Sequence, residues 1–208
     1  MKITSLALGA LLASTTFGAT LFNTMGPDNA YVLSGSTIGG PSGTVVADLI
    51  HPDANGTAGN ITLAMRHTSG ENLYRMDFAA WSENGPADTP FYSREFSITG
   101  DLTTIQLPDG PQLFEDVEFW LVISGVGENT QGAWWGNGHG AQGIIAWHEN
   151  APPNLAAPLV DWNILGDQLL NGVRIETGAA TAETPEPSTA LLAAVGLLWA
   201  GWARRKRA

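Results

Sequence analysis

The chain has 208 residues, of which 14% are charged against a usual ~25% and 44% are hydrophobic, enough for a packed core and too many for general disorder. Twenty acids against nine bases give a formal net charge of −11, which argues against nucleic acid as a partner. Cysteine is absent, and with it thiol nucleophiles, thiolate metal sites and disulfides.

The N-terminal residues read as a secretory signal. Lys2 gives a positive start, Leu6–Ala13 an unbroken apolar run, and Ser14–Ala19 the small residues expected around a cleavage site, here after Gly18 or Ala19. From Thr20 to Thr184 there is no lysine, and four arginines stand against nineteen acids, a net −15. A segment so different in charge from both ends of the chain is expected to be an exported domain between two membrane-directed segments.

That middle segment predicts an all-β fold. Turn-forming clusters recur at short intervals, among them Gly39–Gly43, Asn55-Gly56, Ser69-Gly70, Asn84–Pro86, Pro108–Pro111, Gly136–Gly138 and Ala151–Pro153. Between them lie runs of strand length: Val45–Ile50, Ile61–Arg66, Phe91–Ile98, Thr103–Leu107, Val117–Ile123, Gly143–His148, Leu159–Leu165 and Gly172–Glu176. Ile61, Leu63 and Met65 alternate with Thr62, Ala64 and Arg66, and Val117, Phe119, Leu121 and Ile123 with Glu118, Trp120 and Val122. Eight to ten strands with no convincing long helix point to an antiparallel β-sandwich over residues 20–177, jelly-roll-like in type.

Residues 178–184 form a small-residue linker. Beyond it, Pro185-Glu186-Pro187 precedes an uncharged run of fourteen residues, Ala190–Ala203, and then the basic cluster Arg204, Arg205, Lys206 and Arg207. As a helix the run extends about 21 Å, short of the ~30 Å hydrocarbon core, but counting from Pro187 adds a turn and the flanking bases snorkel. Trp199 and Trp202 stand at the basic end, where interfacial aromatics belong, and the four bases act as a cytoplasmic stop-transfer signal.

These three tail elements, in this order, resemble a PEP-CTERM sorting signal over about the last 25 residues. The resemblance implies processing by an exosortase, a membrane-embedded cysteine transpeptidase of Gram-negative bacteria that usually make an extracellular polysaccharide matrix. The prolines suit such a role because they hold Glu186 in an extended, non-pairing backbone. The segment upstream resembles the choice-of-anchor R family, on Phe119–Ser124, Gly132–Gly136, Trp147 and Val173–Glu176. That resemblance implies an exported β domain and carries no catalytic residues.

Chemistry-bearing motifs are scarce. No nucleophile elbow, zinc-protease helix, phosphate loop or dinucleotide fingerprint occurs. His51, His67, His139 and His148 lack metal-ligand spacing. Asp53, Asn55 and Asn60 in one loop, and Glu115, Asp116 and Glu118 in another, offer oxygens for a structural calcium, but neither follows a calcium-loop pattern, so the expectation is a solvated acidic surface without cofactor. Trp134, Trp135 and Trp147, with polar residues between them, are the candidate sugar-stacking platform, weighed against ordinary core packing. The sequence therefore predicts a non-catalytic cell-surface or matrix protein. Its expected partners are signal peptidase, the exosortase, the inner membrane before processing, and extracellular polysaccharide. A secreted carbohydrate-binding module is the alternative, and a secreted hydrolase a less favoured one.

Overall fold

The computed structural model describes residues 18–178 apart from 41–42, 128, 152–158 and 160. Nearly all of the expected signal-peptide helix lies outside these residues. So do the sorting motif Pro185, Glu186 and Pro187, the apolar helix after it, and Arg204, Arg205, Lys206 and Arg207. Among the described residues no helix is long and apolar enough to cross a membrane.

Thirteen strands build the described domain. In chain order the first seven are β1 (Thr20–Asn23), β2 (Tyr31–Gly39), β3 (Val45–Ile50), β4 (Gly56–Ser69), β5 (Tyr74–Ala80), β6 (Pro90–Phe96) and β7 (Leu102–Gln106). The rest are β8 (Gln112–Leu113), β9 (Phe119–Gly125), β10 (Gln131–Asn137), β11 (Gln142–His148), β12 (Asn163–Leu169) and β13 (Val173–Thr177). One sheet runs β1-β13-β4-β10-β2, with β7 and β8 also paired to β4; the other runs β12-β11-β3-β9-β5-β6. Every pairing is antiparallel.

Strand β4 is the spine of the first sheet because it is long enough to serve several partners. Residues 58–63 pair with β13, 60–64 with β7, and 65–69 with β10. Its alternation sends Ile61, Leu63 and Met65 inward, where they join Ile38, Trp134 and Ile175 from neighbouring strands. The second sheet answers with Val46, Ile50, Met76, Phe78, Phe119, Leu121 and Ile123, so one apolar core lies between the two sheets of a β-sandwich. Aromatic contacts knit it, with Phe78 stacked on Phe119 at 5.3 Å and edge-on to Tyr92 at 5.7 Å.

The outer face of the second sheet is also covered. Val45, Ala47, Leu49, Trp120, Val122 and Ala146 form a second cluster against which Leu159 and Trp162 pack. The sequence correctly places Trp120 and Val122 opposite the main core but misses that their face is buried as well. Val117, expected at the start of that strand, is 55% exposed and precedes it. The expected strand Leu159–Leu165 is instead Asn163–Leu169, an edge strand with mostly exposed side chains. Strands β1, β2, β5, β8 and β10 were not anticipated. In β2 and β10 the reason is glycine and serine. Gly35 and Ser36, and Gly132 and Gly136, interrupt the apolar alternation that marks a strand, yet they let these two strands lie against each other and against β4.

Candidate functional site

The three predicted tryptophans are placed apart. Trp134 and Trp135 are consecutive in β10, so their side chains leave opposite faces of the sheet. Trp134 is fully buried in the main core, and its indole Nε1 donates to the Gly172 carbonyl at 3.3 Å. Trp135, 6% exposed, packs on the outer face with Met25 and Ala64, stacked on Tyr31 at 5.2 Å, with the Arg66 guanidinium 5.9 Å from its ring centre. Trp147 belongs to β11 in the other sheet and is half-buried. No shared platform forms.

Trp147 has different company. At the margin of the sandwich where β2 faces β3 and β11, a cleft of about 320 Å³ is lined by Ser36 and Thr37 from β2, Val46 from β3, Ile145 and Trp147 from β11, and Glu149 just after it. The pairing Trp147↔Val46 fixes the indole beside β3, and Ile145 on the same face of β11 packs against the main core. Across the gap, Ser36 stands opposite Trp134 in the β2–β10 pairing, on the inward face. Among the described residues, the side chains of Ser36, Thr37, Trp147 and Glu149 have no hydrogen-bond, ion-pair or ring partner. An aromatic wall, the inward-facing Ser36 hydroxyl and the Glu149 carboxylate thus border one opening, with Thr37, which points to the other face of β2, at its rim.

A second, wider cleft of about 950 Å³ borders the loop 82–88, Asp161 and Trp162. It carries Glu83, Asp88 and Asp161.

The two acidic loops nominated for calcium are neighbours, because β4 pairs β8 at Gly56↔Leu113 and the Glu115 N–H donates to Asn55 Oδ1 at 3.0 Å. Glu118 turns instead to His51, 3.6 Å away, and Asn60 lies within β4 opposite Glu176. Among the described residues no three His, Asp or Glu side chains are arranged to hold a metal ion. His67 Nδ1 meets the Tyr74 hydroxyl at 2.8 Å, and that hydroxyl donates to the Gln131 carbonyl at 2.9 Å. The tyrosine proton is therefore committed, leaving His67 Nδ1–H as the donor in the first contact. His139 Nε2 lies 2.6 Å from Asp28 Oδ1, and this hydrogen bond holds the Asp28 carboxyl below its usual range. His148 packs edge-on to Trp162, so His139 and His148 have unrelated surroundings.

One titratable group was overlooked by sequence reasoning. Asp48 sits on the inward face of β3 and is fully buried. Asn171 satisfies it twice, through its backbone N–H to Oδ2 at 2.8 Å and its side-chain Nδ2 to Oδ1 at 2.7 Å. Burial nevertheless outweighs these bonds and pushes the Asp48 carboxyl up to about 7. The available signal was a lone acid inside the otherwise apolar run Val45–Ile50. No protein-family model, curated protein or solved structure matches the chain.

Proposed function

We propose that this chain is an exported, non-catalytic surface or matrix protein, delivered to the inner membrane and then released or transferred by an exosortase. The tripartite tail carries the reading: Pro185-Glu186-Pro187 is the recognition element, Ala190–Ala203 the span, and Arg204, Arg205, Lys206 and Arg207 the cytoplasmic stop. Signal peptidase removes the N-terminal segment at Gly18 or Ala19.

The way the domain begins and ends supports this topology. Strand β1 pairs with β13, Thr20 opposite Glu176. The Ala19 N–H donates to Thr177 Oγ1 at 2.8 Å, and the Thr177 N–H donates to the Ala19 carbonyl at 2.8 Å. Chain entry and exit therefore lie side by side, as suits a domain held at one point near a membrane.

The domain is of jelly-roll type. Strands β2, β10, β4 and β7 follow one another in the first sheet, and β3, β9, β5 and β6 in the second. Successive strands of this set cross between sheets, except for the β5–β6 hairpin, in the manner of a folded double Greek key. Strands β11 and β12 extend one edge, and β1 and β13 add to the other sheet. Such a scaffold with an interchangeable tail fits a delivered module whose role lies in what its surface binds.

The test compares the intact mass of the protein from the producing host with and without its exosortase gene. Loss of C-terminal trimming in the deletion strain is expected; an identical C-terminus in both strains would refute the sorting reading.

A further inference from the structure

We propose that the cleft at Trp147 is a binding site for an uncharged sugar unit of a glycan chain. A pyranose ring presents an aliphatic C–H face and a rim of hydroxyls. The cleft offers the complement of both: the Trp147 indole with Val46 and Ile145 as an apolar wall, and Ser36 and Glu149 as hydroxyl and carboxylate partners. Apolar linings with a few convergent polar groups are what small-ligand sites use to combine affinity with orientation. A volume of about 320 Å³ suits a short stretch of sugar rather than a large ligand.

Two features narrow the class. Glu149 is exposed and free, so it accepts from paired sugar hydroxyls, a charge-assisted bond stronger than a neutral one. The surrounding domain, at −14 over residues 20–177, repels polyanions. A neutral glycan meets no such barrier, whereas a polyuronate must overcome it. The cleft is also rigid where it matters, because Trp147 is fixed by pairing on both sides, to Val46 and to Asn163.

This site is independent of the tail. Glycan binding persists whether or not an exosortase processes the chain, so failure of either reading leaves the other standing.

Calorimetry on the full chain tests it, in a detergent without a sugar headgroup. The probes are cellohexaose, maltohexaose and an N-acetylglucosamine hexamer, with a polyuronate as the anionic control. At least one neutral hexamer is expected to bind, the polyuronate not to. Trp147→Ala weakens that binding about tenfold or more, as loss of an aromatic anchor does. Glu149→Gln, at an exposed position that does not endanger folding, weakens it about threefold to tenfold. Unfolding midpoints measured alongside separate loss of the site from loss of the fold. Three results would overturn the proposal: no neutral hexamer binding, wild-type affinity in the Glu149→Gln variant together with either wild-type affinity or misfolding in Trp147→Ala, or tighter binding of the polyuronate.

Discussion

Asp48 makes the pH dependence of stability predictable in sign and size. In the folded protein burial pushes its carboxyl up to about 7, from an ordinary value of 3.8 in the unfolded chain. Between those values the native state holds a proton that the unfolded state has released. Stability from this group is therefore full below the unfolded value and is lost as pH rises towards 7, at ~1.4 kcal/mol per pH unit. The span of roughly three units amounts to a loss on the order of 4 kcal/mol, levelling off above pH 7 to 8. Asp48→Asn removes the titration while keeping a side chain of the same shape. It leaves one acceptor for the two Asn171 donors, a constant penalty of about 1–3 kcal/mol at every pH. Urea unfolding of both proteins from pH 4.5 to 8.5 isolates the effect, since other titrating groups cancel in the difference. Wild type is expected to fall steadily relative to Asp48→Asn as pH rises to 7, its advantage giving way to a deficit before the difference levels off above. A difference that stays flat, or grows with pH, would mean that the two Asn171 bonds win over burial, and the argument from desolvation would fail.

Other perturbations have equally definite outcomes. Trp134→Ala, which empties a fully buried indole site, should cost about 3–5 kcal/mol in urea unfolding, far more than Trp147→Ala at the half-open margin. Tyr74→Phe removes the hydroxyl that links His67 Nδ1 to the Gln131 carbonyl and should cost about 1–3 kcal/mol, with a change in the His67 ring-nitrogen NMR signals. Gly35→Val should disrupt the β2–β10 pairing, because a Cβ there would fall onto the Trp134 carbonyl oxygen; hydrogen exchange at Gln131–Asn137 would report faster opening.

The sheet class was legible where strands obey the two-residue period. Ile61, Leu63 and Met65 face the core as their alternation requires, and Phe119, Leu121 and Ile123 do likewise. Strand β10 was not legible, since three glycines or small residues among its seven suggest a loop, and its two adjacent tryptophans were then grouped into one surface. The same two-residue period, applied to Trp134 and Trp135, sends them to opposite faces. The cleft itself was beyond reach of spacing. Ser36 and Trp147 are more than a hundred residues apart and meet only because β2 and β11 lie in different sheets at the same margin. Asp48 shows the intermediate case. Its position in an apolar run was visible, but its partner Asn171 comes from the far end of the domain.

The most direct test of the account is the intact mass of the protein recovered from the cell surface or medium of its host. The unprocessed chain is 21.9 kDa. A mature species that starts at Ala19 or Thr20 and ends within or just before Pro185–Ser188 is the expected result, smaller at both ends and free of the four terminal bases. Recovery of the full 21.9 kDa chain, with Arg204–Arg207 still attached, would contradict it.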